Sequence, residues 1–260
     1  MHTIKAVLFD FDGTISTLRA GWEEVMRPFM KESITGLHAL SMEQEAALNQ
    51  EIDAYIDHST GIQTIYQMKW LAHTVHEKGW NERVLSEWEY KAEYNRRLLE
   101  RVTDRIGKLR KGELQPEDFL IRGAAEFVRE LHRRGVELYV ASGTDHPDVV
   151  QEAEVLGLAS FFNEIAGAPV GRAECSKEKV LRELIETKGL TGEELAVIGD
   201  GKVEIQLGKE AGGLALGLAS NEELREGMNP VKERRLRTAG ADWISGDFGN
   251  PQAWFERLGV

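Results

Sequence analysis

Residues 4–14, IKAVLFDFDGT, decide how the rest of the chain is read. Positions 4–9 are apolar except for Lys5, and they show no polar alternation before Asp10. Such a run suits a short strand covered on both faces, as strands of parallel sheets are. Asp10 and Asp12 then stand two positions apart, and Gly13 allows a tight turn before Thr14. If the extended geometry persists past Phe9, the two carboxylates leave the strand on the same side. A carboxylate pair is useful where one group attacks and the other moves protons. N–H groups of a turn at Gly13 and Thr14 are candidates to face phosphate oxygens. Taken alone, DxDGT points to this catalytic reading, although a simple acidic turn or the metal-binding DxD of a nucleotide-sugar transferase would look similar.

Working outward, residues 18–112 contain no strand-like run. Helical patterns follow one another over 22–31 (with Pro28 inside), 42–58, 62–78 and 81–109, and Ser41 with Gln44 forms a capping-box pair before the second. After Pro116 the texture changes to alternation. Helices are expected over 122–134, 147–156, 177–188 and 204–211, and strands over 136–141, 162–166, 195–198 and 214–218. A short strand at 243–244 and a helix at 251–258 close the chain. Alternating strands and helices predict an α/β fold with an open parallel sheet, its first strand preceding an all-helical insertion. The expected division is therefore a catalytic core, 1–17 with 113–260, and a helical cap, 18–112. Ligands of open parallel sheets bind at the carboxyl ends of the strands, which places Asp10, Ser142 and Asp200 along one edge.

Three later stretches carry chemistry. ASGT (141–144) offers the Ser142 hydroxyl and the Gly143 N–H to an anion, or is an ordinary Ser/Gly turn. SKEKVLREL (176–184) opens an amphipathic helix with Lys177 and Lys179, where a cation is mildly opposed by the helix dipole. GDGKVE (199–204) brings Asp200 and Glu204 to a helix start, either as hard oxygen ligands suited to magnesium or as N-terminal acidic residues favoured by the dipole.

Composition removes several classes. With 42% hydrophobic and 29% charged residues the chain of 260 residues has ample material for a core. A net charge of -12 opposes binding to nucleic-acid backbones and anionic membranes. Cys175 is the only cysteine, which excludes an intrachain disulfide and a Cys-rich metal site. Apolar runs end before a bilayer-spanning length, and the first one meets Asp10 too early for a signal-peptide core, so a cytoplasmic protein, monomeric or homodimeric, is expected.

The order of these motifs resembles the haloacid dehalogenase-like (HAD) hydrolase superfamily over essentially the whole chain. VLFDFDGT is similar to its first motif, YVASGT to its second, SKEKVL to its third and GDGKVE to its fourth, and the helical block is similar to a C1 cap of the phosphoglycolate-phosphatase-like members. The resemblance implies a Rossmann-like HAD core in which Asp10 is the nucleophile and Asp12 the general acid and base. Ser142 would bind the phosphoryl oxygen, and Lys177, which fits the motif better than Lys179, would neutralise Asp10 and phosphate. It implies Mg2+ held by Asp10, the Asp12 carbonyl and Asp200. Glu204 stands where many relatives have Asp and would ligate directly or through water. The activity implied is hydrolysis of a small phosphorylated metabolite. A phosphomutase of the same fold, and a phosphate-binding regulatory protein without turnover, are the alternatives. A large cap is expected to exclude macromolecular substrates, with Arg19 and the Gln63–Thr64 pair after Gly61 as candidate substrate readers or as hinge and capping residues. Lys232, Arg234, Arg235 and Arg237 form a basic cluster expected to be a solvated helical face or an aid to anion capture.

Overall fold

A computed structural model describes residues 4–60, 62–171 and 176–260; Gly61 and Cys175 lie outside them. In chain order, β1 (Ala6–Phe9) leads into the helices α1 (Trp22–Thr35), α2 (Met42–His58), α3 (Thr64–Lys78) and α4 (Glu87–Arg110). Then come α5 (Ala124–Arg133), β2 (Glu137–Asp145), α6 (His146–Val155), β3 (Glu164–Ala168), α7 (Ser176–Lys188), β4 (Leu195–Gly199), α8 (Lys202–Glu210) and β5 (Leu214–Leu218). The chain closes with α9 (Pro230–Thr238), β6 (Trp243–Ser245) and α10 (Pro251–Leu258).

The chain divides into two compact units, Met1–Ala20 with Arg105–Val260, and Gly21–Asp104. In the first unit the six strands described form one sheet in the order β3-β2-β1-β4-β5-β6, with all pairs parallel. β1 is central, and the chain winds to one side of it through β2 and β3 and to the other through β4, β5 and β6. The carboxyl end of β1 is thus the point where the winding reverses, the usual ligand position of such sheets. Alternate residues of β1 serve opposite faces. Val7 and Phe9 join Phe127, Val128 and Leu131 of α5 and Trp254 and Phe255 of α10. Ala6 and Leu8 join Val180, Leu181 and Leu184 of α7. This two-sided burial is why positions 6–9 carry no polar residue.

In the second unit Phe29 of α1 packs against Tyr90 and Tyr94 of α4, with ring centroids 6.2 Å apart in both pairs. Ile52, Met68 and Leu71 are buried on α2 and α3. α2 begins at the expected capping box, with the Ser41 hydroxyl accepting from Gln44 N–H and the Gln44 side chain accepting from Ser41 N–H. α4 starts at Glu87 and not at 81. Asn81 bonds Ser33 O (2.7 Å) and accepts from Arg83 N–H (3.0 Å), which holds a loop. Ser86 and Glu89 then cap the helix reciprocally. α4 also continues past the second unit, because Arg105 donates to the carbonyls of Leu18 (2.5 Å) and Ala20 (3.3 Å). The division consequently falls at 20/21 and 104/105, away from the 17/18 and 112/113 expected from sequence.

Candidate active site

At the end of β1 the Asp10 N–H still donates to Ile198 O at 2.9 Å, so the sheet ladder fixes where this side chain emerges. The chain then turns tightly: Phe11 O accepts from Ile15 N–H (2.9 Å) and Ser16 N–H (3.0 Å). Gly13 has φ +74, and a Cβ there would lie 2.5 Å from Asp200 Oδ2, so only glycine fits. The Gly13 N–H donates to Ser16 O at 2.8 Å and the Thr14 N–H to Phe11 O at 3.3 Å. Thr14 is fully buried. These two residues therefore build the turn, and their N–H groups are not presented to a phosphate as expected.

Asp10 is buried, and Lys177 Nζ lies 3.0 Å from its Oδ1. Lys177, at the start of α7, is buried as well, whereas Lys179 is exposed. On its other side Lys177 ion-pairs with Glu204 of α8. Glu204, a candidate metal ligand, has its Oε1 in this pair, while its buried Oε2 has no hydrogen-bond partner among the described residues. Its side chain folds back over its own motif: a Cβ on Gly199 would meet Glu204 Cγ at 2.5 Å, and one on Gly201 would meet Oε2 at 2.6 Å. Both glycines of GDGKVE are thus room for this acid.

Asp12 sits in a different setting. Its Oδ2 accepts from Thr144 Oγ1 at 2.8 Å and from Ser142 Oγ at 3.4 Å, while Arg19 Nε stands 4.0 Å from Oδ1. Ser142 lies inside β2, which extends past Ala141 to Asp145 with a register shift against β3, and Gly143 beside it is half-buried. Thr144, the last residue of the ASGT motif, is a site residue that the motif alone does not single out. Its spacing of two from Ser142 puts both hydroxyls on one side of the strand.

Arg19 was expected either to read the substrate or to serve as a hinge residue, and in the structure its partners belong to the protein. Its guanidinium is buried and donates to Glu152 Oε1 from Nε (2.9 Å) and Nη2 (2.6 Å), and to Asp148 Oδ2 (3.3 Å). Glu152 is itself buried, on α6. The arginine charge is answered by protein carboxylates and faces Asp12.

Asp200 follows β4 directly and is buried. Its partner comes from the basic cluster expected to be a solvated face or an aid to anion capture: Lys232 Nζ lies 2.6 Å from Asp200 Oδ2 and 2.6 Å from Glu222 Oε1. Arg234 and Arg237 are exposed as expected, but Lys232 shares the buried face of α9 with Leu236 four residues on. That i, i+4 relation to an apolar residue was the available signal.

These environments set the proton affinities. Burial, with Asp200 and Asp12 adding to it, pushes the Asp10 carboxyl up to about 7 against the pull of Lys177. Burial foremost, then Glu152, pushes Asp12 up to about 6, and Arg19 and Thr144 restrain it. Burial also opposes the charge on Asp200, yet Lys232, by charge and hydrogen bond, holds it below the ordinary carboxylate range. A further cation near Asp10 would favour its charged form near neutral pH. The Asp10 and Asp200 carboxylates, near enough to repel each other, are hard oxygen donors of the kind that suits magnesium, an ion that keeps several waters. Among the described residues no three His, Cys, Asp or Glu side chains converge as an all-side-chain metal cage.

A parallel sheet with these motifs at one edge defines a class. The chain belongs to the haloacid dehalogenase-like hydrolase family, whose model matches residues 4–212. It is 28% identical over 128 residues to the phosphoglycolate phosphatase of Salmonella paratyphi A, and the match spans about half of each protein, 49% of this chain and 49% of that one. A predicted phosphoglycolate phosphatase of Haemophilus somnus shares the fold with a TM-score of 0.65 at 16% identity, covering 98% of this chain and 99% of that one. A beta-phosphoglucomutase of Clostridium difficile does so with a TM-score of 0.65 at 14% identity, covering 98% and 97%. No helix of the described residues is long and apolar enough to cross a membrane.

Proposed function

We propose that the chain is a magnesium-dependent phosphomonoesterase that acts on a small phosphorylated metabolite through an aspartyl phosphate on Asp10. The observation that carries this is the contrast between two neighbouring carboxylates. Asp10 lies 3.0 Å from the buried Lys177 ammonium, whereas Asp12 accepts from the Thr144 hydroxyl at 2.8 Å with Arg19 4.0 Å away. Carboxylates with such different partners can divide into nucleophile and acid–base. The similarity to a phosphoglycolate phosphatase supports a small phosphorylated substrate.

In the first step Asp10 attacks phosphorus in line while Asp12 protonates the departing oxygen; in the second Asp12 takes a proton from the water that hydrolyses the acyl phosphate. Lys177 offsets the repulsion between the Asp10 carboxylate and the phosphoryl oxygens. Asp10, Asp200 and the Asp12 carbonyl would hold the magnesium, which when bound supplies charge neutralisation at the phosphoryl group. Thr144 and Arg19 keep the Asp12 carboxylate in place, and Glu204 keeps Lys177 in place.

Phosphate release from a panel of sugar phosphates, phosphoglycolate, nucleotides and phosphoamino acids, with magnesium and with chelator, tests this reading. Magnesium-dependent release that disappears in Asp10→Asn is the expected result. Isomerisation of a hexose phosphate without free phosphate would turn the assignment to a mutase, which the same Asp10 and Asp12 serve. Phosphate binding without any turnover would make the chain a binding protein.

A further inference from the structure

Arg19 faces Asp12 without bonding it. Its Nε stands 4.0 Å from Asp12 Oδ1, and the Nε proton goes instead to Glu152 Oε1 at 2.9 Å, which also accepts from Nη2 at 2.6 Å. Asp148, one turn earlier on α6, takes a further bond from Nη2 at 3.3 Å. The two oxygens of Asp12 consequently differ. Oδ2 accepts from the Thr144 and Ser142 hydroxyls, whereas Oδ1 is buried and has no hydrogen-bond partner among the described residues. A buried acceptor is seldom left empty, and this one lies beside a group with five N–H donors. The guanidinium is flanked by Glu152 and Asp12 and is seated on Glu152. Arginine carries only donors, so a carboxylate oxygen that it grips cannot hold a proton at the same time. With Oδ2 already accepting from two hydroxyls, Oδ1 is the oxygen left to hold one.

We propose that Glu152 is a positioning residue for proton transfer: it keeps Arg19 off Asp12, so that Oδ1 stays unbonded and able to give and take the proton. This rests on the acid–base role given to Asp12 under the proposed function. Without Glu152 the guanidinium closes on Oδ1, and without the arginine as well Oδ1 is open again. A carboxylate that merely neutralised a buried guanidinium would affect stability and slow all substrates alike, and removing the arginine too would restore nothing.

The test is steady-state phosphate release with magnesium by the full chain, for wild type, Glu152→Gln, Glu152→Asp and Glu152→Gln/Arg19→Gln. The substrates are 4-nitrophenyl phosphate and the alkyl phosphate released fastest in the panel above, and circular dichroism follows folding. An alkyl leaving group needs the proton from Asp12, and a nitrophenolate needs it far less. The expected result in Glu152→Gln is a loss of about 10²-fold in kcat on the alkyl phosphate at unchanged KM, with a loss under about ten-fold on the aryl phosphate. The double variant should regain at least about ten-fold of the alkyl turnover lost in Glu152→Gln. Glu152→Asp, which keeps the charge on a shorter arm, should fall between wild type and Glu152→Gln on the alkyl phosphate. Wild-type turnover by Glu152→Gln overturns the proposal, as do equal losses on both substrates or a double variant no faster than the single one. Should Glu152→Gln not fold, the same comparison in Glu152→Asp decides. Failure of both to fold overturns the proposal, because Asp12 would then not serve the arginine as a second partner. Wild-type alkyl turnover by Asp12→Asn, assayed in parallel, is a different failure, that of the acid–base reading itself.

Discussion

Lys177 holds its ammonium 3.0 Å from Oδ1 of Asp10, with both side chains buried and Glu204 closing the far side of the lysine. The pair is a nucleophile with its charge partner already in place. Lys177→Met leaves buried Glu204 without its cation and should cost stability, and in the folded variant kcat should fall by at least about 10²–10³-fold, the usual effect of losing one group that answers transition-state charge. Glu204→Gln should cost less, since Lys177 stays. Steady-state phosphate release measures both, and a Lys177→Met enzyme with wild-type kcat would remove the lysine from the mechanism.

Asp10 and Asp12 have proton affinities raised from 3.8 to about 7 and about 6. A carboxyl raised in the folded state contributes stability that is complete below its unfolded value and is lost as pH rises through the folded value. Between about pH 4 and 7, metal-free wild type should therefore lose stability relative to Asp10→Asn, which has no such proton to release. Magnesium answers the charge that appears, so its thermal shift should be larger at about pH 8 than at about pH 5. Thermal unfolding with and without chelator at both pH values checks this; equal shifts would contradict the account of Asp10.

Asp12→Asn keeps the size of the side chain and the backbone carbonyl while removing proton transfer. Turnover of an alkyl phosphate should fall by about 10²–10⁴-fold, and formation of the acyl phosphate from an aryl phosphate should suffer less than its hydrolysis. Phosphorylated Asp10 should then accumulate as a mass increase on the N-terminal peptide. Wild-type turnover of alkyl phosphates by the variant would assign the protons elsewhere.

Arg19→Ala leaves Glu152 buried without its guanidinium partner, a loss expected to destabilise the fold by about 3–5 kcal/mol. Because the arginine faces Asp12 and the protein's own carboxylates, kcat should fall on substrates with and without a second anionic group, with KM little changed. Thr144→Val, which removes the 2.8 Å hydrogen bond to Asp12, should slow alkyl phosphates more than aryl ones at nearly unchanged stability. A selective rise in KM for dianionic substrates in Arg19→Ala would restore the substrate-reading role instead.

The sequence by itself determined the α/β class, the parallel sheet and the residues at its edge, because two-sided burial forces an apolar run such as 6–9 and because short motifs lie where strands end. α2, β5 and α10 also fall where capping pairs and apolar periodicity put them. The start of α4 was legible too, in the Ser86–Glu89 pair, but the apolar period running back to 81 masked it. Other decisions belonged to the tertiary structure alone. Whether Arg19 meets a substrate or Glu152 depends on α6 arriving 133 residues later. Whether Lys232 is solvated or lies 2.6 Å from Asp200 depends on how α9 is rotated against β5, which Leu236 fixes by entering the core. Local patterns specify strands, turns and helix faces because those follow from neighbours in the chain. The partner of a buried charge is set by which distant element shares its low-dielectric surroundings, and packing alone decides that.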